Sequence, residues 1–169
     1  MTSLELLAWL CAVAVVFYFF WPKPKRVAAP RPTVDGLPKN AIVVDGSNVM
    51  YWGGEPSQMV LARVLAALRK KDFAPIAIFD ASVGYRLGNR FMNEMELAAI
   101  TGLPDRQILV VNKGIVADEV ILDFATEHNL RIVTNDRYRD WATQFPHVKK
   151  KGCLVKGTWK EGNVMLPDL

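Results

Sequence analysis

The stretch AIVVDGSNVM, residues 41–50, runs from apolar residues into a carboxylate and then into three small polar residues. Its apolar part is short and rich in β-branched side chains, which is typical of a buried strand. Two interpretations of Asp45 are open at this point. Asp45 either caps a turn or helix, or lies at the open edge of a sheet and holds a positive group.

From residue 39 onward the chain alternates apolar strands with amphipathic helices. Strands are predicted over 41–44, 74–79, 107–111 and 131–134. Helices are predicted over 56–71, 89–100, 117–129 and 136–145, and residues 151–159 and 162–166 read as edge strands or loops. The alternation predicts an α/β fold of three layers, with a mostly parallel central sheet between helices. Sites in such sheets lie beyond the carboxyl ends of the strands.

An apolar segment, residues 4–21, precedes this domain and contains one charge, Glu5. Eighteen helical residues span roughly 27 Å, about the thickness of a hydrocarbon core, so a single transmembrane helix is predicted. A cleaved signal peptide is the alternative. It fits less well, because no Lys or Arg precedes the apolar run and no small-x-small cleavage site follows it.

Residues 22–38 form a basic linker with five prolines, which is expected to be an extended spacer between the helix and a domain over residues 39–165. Its basic residues are Lys23, Lys25, Arg26 and Arg31. Positive charge on this side of the apolar segment predicts a single-pass protein whose C-terminal domain is cytoplasmic.

The net charge of +4 is concentrated in that linker. Four of the 21 basic residues and one of the 17 acidic residues precede residue 35, so the remainder carries 17 basic and 16 acidic residues, a net +1. The charge therefore does not by itself indicate nucleic-acid binding. The two cysteines, Cys11 and Cys153, form no zinc-binding pattern and suit a reducing compartment.

Acidic residues follow the predicted strands or open the predicted helices at the same edge of the sheet. They are Asp45, Asp80, Asp118, Glu119, Asp136 and Asp140. Asp136 and Asp140 are four residues apart and are expected on one face of a helical turn. Converging carboxylates repel each other, and an oxygen-rich site for Mg²⁺ or Mn²⁺ relieves that repulsion. Such a site can activate water for phosphodiester hydrolysis.

Each acidic residue also has a purely structural interpretation. A single Asp after a strand is more often a helix cap or turn former, and Asp80 in FDAS could simply start a turn. Glu94 and Glu96 are expected to face solvent, with a site-facing Glu94 as the alternative. The agreement of Asp45, Asp118 and Asp136 at three such positions favours a shared site.

The segments VVDGSNV, ADEVILDFA and IVTNDRYRDW together resemble the NYN domain, a branch of the PIN-like nucleases, and in particular the Regnase-type ribonuclease domain. The resemblance covers about residues 39–160. It implies a PIN-like fold and a metal-dependent endoribonuclease. Asp45, Asp118, Asp136 and Asp140 match the family's catalytic and metal-binding acids, and Asn48 matches the asparagine that lines its site.

Two features depart from that family pattern. Glu119 stands where Regnase-type members have a second Asp, so it is only a possible metal ligand. The CCCH zinc finger of the animal members does not occur among these 169 residues.

RNA is the partner that the resemblance implies, besides the membrane contacted by residues 4–21. The residues expected to contact RNA are Ser47, Asn48, Arg137, Arg139, Lys149 and Lys150. No small-molecule cofactor is expected, because no P-loop or Rossmann glycine pattern follows the first strand. The alternative is a non-catalytic, membrane-tethered RNA-binding or scaffold protein on the same fold.

Overall fold

A five-stranded parallel sheet forms the centre of the computed structural model, which describes residues 36–169. The expected membrane helix at 4–21 and nearly all of the linker at 22–38 lie outside the described residues. The strands are β1 Ala41–Asp45, β2 Ala74–Phe79, β3 Ile108–Val110, β4 Ile132–Val133 and β5 Leu154–Val155. Their order across the sheet is β3-β2-β1-β4-β5, and all neighbours pair in parallel.

Helices cover this sheet, and a short hairpin follows it. The helices are α1 Gly46–Val49, α2 Gln58–Lys70, α3 Val83–Gly88, α4 Glu94–Thr101 and α5 Ala117–Glu127. Single 3₁₀ turns occupy Asp105–Gln107, Arg139–Trp141 and Pro146–Lys149, and β6 Thr158–Lys160 pairs antiparallel with β7 Asn163–Met165.

The sheet separates two apolar cores, because successive side chains of a strand point to opposite faces. Ile42 and Val44 of β1 pack with α2 on one face, whereas Val43 packs with α5 on the other. These side chains are fully buried, and such burial stabilises the fold by roughly 2 kcal/mol per large aliphatic side chain. The predicted α/β fold with a mostly parallel sheet is confirmed.

The connections place the candidate site. The chain runs from β1 through β2 to β3 on one side, then returns to add β4 on the other side of β1. The connections that leave β1 and β4 therefore diverge, which opens a crevice at the carboxyl ends of these strands. Asp45 ends β1 at this crevice.

The sequence expectations about the elements need two corrections. Residues 136–145 form no α-helix: the backbone of Tyr138 is left-handed (φ 48°), and only a 3₁₀ turn follows. Helix α3 was not predicted. The segment over 151–159, expected as an edge strand or loop, contributes β5, the edge strand of the main sheet beside β4, so this expectation is confirmed. Within residues 36–169, no helix combines the length and apolarity needed to cross a bilayer.

Candidate active site

Asp45 caps a helix and also lies at the carboxyl edge of the sheet, while its binding of a positive group stays a prediction. Its Oδ1 accepts a hydrogen bond of 3.0 Å from the backbone N–H of Asn48, which caps α1. Gly46 lets the chain turn there, because a Cβ at this position would lie 2.1 Å from the ring of Phe79. The turn therefore begins directly against the core.

Two side chains that follow β4 hold the other oxygen of Asp45. The hydroxyls of Thr134 and Tyr138 donate to Oδ2 at 3.0 and 2.9 Å. Burial raises the pKa of Asp45 to about 6. The hydrogen bonds from Asn48, Tyr138 and Thr134 lower this pKa, and the negative charge of Asp118 raises it. Asp45 is thus a fixed, buried carboxylate whose ionisation is costly.

Asp118 and Asp136 extend this carboxylate into a cluster, which we call the acidic cluster (Asp45, Asp118 and Asp136). Asp118 lies in the first turn of α5. Burial and then the negative charge of Asp136 raise its pKa, and a hydrogen bond from Trp141 lowers it. Asp136 is exposed, and its Oδ1 accepts from the backbone N–H of Tyr138 at 2.7 Å. The three acids therefore lie within electrostatic reach of one another.

Asn48 organises the crevice through its side-chain oxygen. Its Oδ1 accepts from Trp52 Nε1 at 3.0 Å and from the backbone N–H of Asn135 at 2.9 Å. Asn135 in turn exchanges hydrogen bonds with the backbone of Gly157. The turn after β1 is thereby joined to the segment after β4, which carries Asp136.

Ser47 and Asp80 connect β1 to β2. The backbone N–H of Asp80 donates to Ser47 Oγ at 2.9 Å, and Asp80 Oδ1 accepts from the N–H and hydroxyl of Ser82. Burial raises the pKa of Asp80, but the hydrogen bonds from Ser82 and Ser47 and the charge of Arg86 outweigh it and hold the pKa below its ordinary value. Asp80 therefore has the contacts of a turn former.

Asp140 and Glu119 are the remaining predicted acids at this edge. Asp140 is exposed in the turn Arg139–Trp141. The expected helical face shared by Asp136 and Asp140 does not form, because the left-handed Tyr138 lies between them. Glu119 Oε1 accepts from Gln144 Nε2 at 3.4 Å.

The basic residues divide between the two edges of the sheet. Lys156, following β5, donates to the backbone oxygen of Asp136 and lies near Arg137. Burial lowers the pKa of Lys156. Arg139 is exposed in the turn beyond Tyr138. Lys150, in contrast, donates to Asn129, which precedes β4, so it lies at the amino edge of the sheet, away from the acidic cluster.

Lys149 shares the position of Lys150. It ends the 3₁₀ turn in which His147 Nε2 lies 2.7 Å from the carbonyl oxygen of Leu130, just before β4. The structure therefore brings Asp45, Asp118, Asp136 and Arg137 together, with Ser47 and Asn48 as supports. It does not bring Lys149 or Lys150 to them.

The donor set fits a hydrated divalent cation. All three clustered acids offer hard oxygen ligands, and a cation would favour the ionised forms of Asp45 and Asp118, whose pKa values are raised by burial and, to a smaller extent, by the neighbouring acids. Between residues 36 and 169, no three carboxylate, histidine or cysteine side chains converge closely enough to form a direct chelate. This arrangement suits Mg²⁺, which keeps several waters and uses one or two protein carboxylates.

Sequence reasoning did not identify Thr134 and Tyr138 as partners of Asp45. Thr134 directly follows the strand that pairs with β1, and this position could have pointed to it. From the sequence, Tyr138 is interpreted as a packing residue or a base-stacking ring. Its contact with Asp45, 93 residues earlier in the chain, is not indicated by any local sequence pattern.

Comparisons with known proteins identify the family. The model of the Zc3h12a-like ribonuclease NYN domain matches residues 38–169. Among curated proteins no relative matches the chain. A similar solved structure is Arabidopsis thaliana nuclear protein-only RNase P 2, with 17% identity and a TM-score of 0.49, over 97% of this chain and 34% of that one. This chain thus spans about a third of that protein. From the family match, the chain belongs to the Zc3h12a-like ribonuclease NYN domain family, a family of nucleases.

Proposed function

We propose that the protein is a metal-dependent endoribonuclease that hydrolyses RNA phosphodiester bonds at the acidic cluster. The observation that carries this proposal is the placement of three acids at the crevice between β1 and β4: Asp45 ends β1, Asp118 lies in the first turn of α5, and Asp136 follows β4. Burial raises the pKa of Asp45 and Asp118, and the charge of a neighbouring acid raises each further. Family membership supplies the nuclease class. The cluster supplies the chemistry, because perturbed acids gathered in a cleft are typical of catalytic sites.

Asp45 and Asp136 would hold the cation. Asp45 is immobilised by three donors, so its remaining acceptor capacity has a fixed direction. Asp136 is exposed beside it on the segment after β4. When bound, Mg²⁺ or Mn²⁺ would offset phosphate charge and favour ionisation of a water.

Asp118 would orient the attacking water. Asp118 is half-buried and its pKa is raised. Its carboxylate is therefore more basic than that of an exposed aspartate, and it accepts a proton more readily. The water oxygen would form the new bond to phosphorus as its proton passes to Asp118, while the bond to the leaving ester oxygen breaks and that oxygen takes a proton from solvent. The hydrogen bond from Trp141 lowers the pKa of Asp118 and therefore favours its ionised form before the proton is transferred.

Arg137 and Lys156 would contact the RNA phosphates. Both lie beside Asp136 at the carboxyl edge of the sheet. Without positive charge there, an anionic strand would be repelled by the acids. Arg139, one turn further on, would extend the same contact.

Cleavage by the full-length protein tests the proposal. Single-stranded and structured RNAs are incubated with Mg²⁺, Mn²⁺ or EDTA, using the wild type and D45N, D118N and D136N. The matched control is D105N, because Asp105 is exposed at the amino end of β3, at the opposite edge of the sheet. We expect cation-dependent cleavage that falls at least a hundred-fold in the three site variants and persists in the control.

Cleavage that survives EDTA, or cleavage by D45N or D136N at the wild-type rate, would refute the metal-dependent mechanism. RNA retention without any cleavage would instead favour the non-catalytic alternative.

We also propose that residues 4–21 anchor the protein in a membrane with its nuclease domain in the cytoplasm. The support is the apolar segment followed by basic residues. Carbonate extraction of membranes and a reporter fused after Leu169 test this proposal. Release by carbonate would contradict the anchor, and an external reporter would contradict the orientation.

A further inference from the structure

A cavity of 540 Å³ opens at the carboxyl ends of β2 and β3, the sheet edge at which Asp45 also lies. Ala81, Val110, Tyr85 and Phe91 are among the residues that line it. Cavities of this size accommodate small organic groups. Neighbouring strands are about 4.8 Å apart, so the end of β3 lies roughly 10 Å from the end of β1, a distance that adjacent nucleotides of one strand can span.

Two exposed aromatic rings flank this cavity. Tyr85 and Phe91 are each 58% exposed, although both are large and apolar. The backbone holds them there. Helix α3 ends at Asn89 in a left-handed conformation, and Gly84 packs so tightly that a Cβ would lie 2.4 Å from backbone atoms of Arg90 and Met92. The backbone that carries both rings is therefore fixed, and the rings form an exposed apolar surface.

Glu94 supplies a polar group to the same cavity. The expectation that it faces solvent is wrong: Glu94 is half-buried, lines the cavity, and accepts the backbone N–H of Val110 at 3.2 Å through Oε1. A carboxylate has about four acceptor positions, so it can accept further N–H groups. The capping box of Asn93 and Glu96 fixes the start of α4 and hence Glu94.

Hydrogen bonds connect the cavity to the acidic cluster. Ser82, in the cavity wall, donates to Asp80, whose backbone N–H donates to Ser47, two residues from Asp45. Arg86 Nε donates to Ser82 Oγ from the exposed side. Cavity and cluster are thus parts of one connected edge, and a group held in the cavity has a defined position relative to the cluster.

We infer that this cavity binds one unpaired nucleobase of the RNA, next to the bond that is cut, with guanine preferred; this inference rests on the proposed function. Aromatic rings stack on any base. A carboxylate accepts base N–H groups, and guanine presents its N1–H and amino group side by side, whereas uracil presents a single N3–H. Lys113, exposed at the rim, would contact the adjoining phosphate.

Binding by the full-length protein in EDTA tests the inference without cleavage. The probes are a fluorescent oligouridine carrying one guanosine and the all-uridine oligonucleotide, followed by anisotropy. We expect wild type to prefer the guanosine probe.

Y85A and F91A should each weaken binding about ten-fold, the effect of losing one stacking partner. Y85F keeps a ring and should bind as wild type does. M95A is the matched control, because Met95 is exposed on α4 without lining the cavity.

E94Q isolates the base preference. It keeps an oxygen for the N–H of Val110 but loses the carboxylate, so the preference for guanosine should fall about ten-fold while affinity for oligouridine stays the same. In Mg²⁺, wild type should cut at a fixed distance from the guanosine, and E94Q should lose that position.

Unchanged affinity in both Y85A and F91A would overturn the inference, and an unchanged preference in E94Q would overturn the assignment of guanine. D45N separates this inference from the proposed function, since it should lose cleavage yet keep the guanosine preference in binding. Wild-type cleavage by D45N would refute the catalytic proposal alone.

Discussion

The phenolic hydroxyl of Tyr138 donates a hydrogen bond of 2.9 Å to Oδ2 of Asp45, joining the segment after β4 to the end of β1. Both residues are buried, with 2% and 5% of their surface exposed. Because a hydrogen bond to a carboxylate favours the ionised form, Tyr138 lowers the pKa of Asp45 against the effect of burial. One contact therefore links the packing of the fold to the charge state of the acidic cluster.

Tyr138→Phe should raise the pKa of Asp45 above about 6 and reduce RNA cleavage at neutral pH. Removing a hydrogen bond to a buried charge costs ~2 kcal/mol of unfolding free energy. The cost should be smaller at pH 5, where Asp45 in the folded protein is mostly protonated. Urea unfolding at pH 5 and pH 8, with the acid limb of the cleavage profile, measures both effects. An equal stability loss at the two pH values would contradict the proposed link to ionisation.

Asp45→Asn should make the free energy of unfolding less dependent on pH between pH 4 and pH 7, while abolishing cleavage. Because burial raises the folded-state pKa from 3.8 to about 6, the folded state binds more protons than the unfolded state between these values. Unfolding free energy is therefore lost as pH rises through this window, by up to ~3 kcal/mol above pH 6. In D45N the free energy of unfolding should not decrease in this way, because the asparagine side chain does not ionise.

The difference between wild-type and D45N unfolding free energies, measured in EDTA at pH 4 and pH 7, checks this prediction. D105N is the control, because Asp105 is exposed. Parallel pH profiles for wild type and D45N would rule out the assigned ionisation.

The pattern of strands in the sequence was enough to predict the fold. The finer geometry of the site depends on contacts that no local sequence pattern reveals. AIVV and APIAIF are buried on both faces, so their composition alone predicts parallel strands. Residues 154–155 are too short a run for that signal, and β4 supplies the pairing that makes them a strand. The helix expected over 136–145 fails at Tyr138, whose left-handed backbone accompanies its contact with Asp45.

Asn48→Ala should destabilise the protein and disorder the position of Asp136. The side-chain oxygen of Asn48 accepts from Trp52 Nε1 and from the backbone N–H of Asn135, and its loss leaves both donors without this acceptor. Two such losses cost roughly 2–4 kcal/mol. Trp52→Phe removes one donor and some packing of the indole ring but retains the bond between Asn48 and Asn135, so it should preserve more cleavage. Thermal unfolding and cleavage rates of the two variants are compared directly.

If the two variants lose the same cleavage, the bond between Asn48 and Asn135 does not position Asp136. Any difference in stability alone would then reflect the hydrogen bonds and the packing lost.

Lys156→Gln should weaken RNA binding and make it less sensitive to salt. Lys156 lies beside Asp136 and Arg137, and a lysine that contacts one phosphate contributes about 0.7 to the slope of log affinity against log salt for a single strand. Lys156→Arg retains the charge and should retain the slope, although its contact with the backbone of Asp136 is altered. Lys39→Gln is the control, because Lys39 is exposed just before β1, at the opposite edge of the sheet. Anisotropy titrations in EDTA over a range of salt concentrations measure the slopes. A slope unchanged in K156Q, or reduced equally in K39Q, would place the RNA elsewhere on the domain.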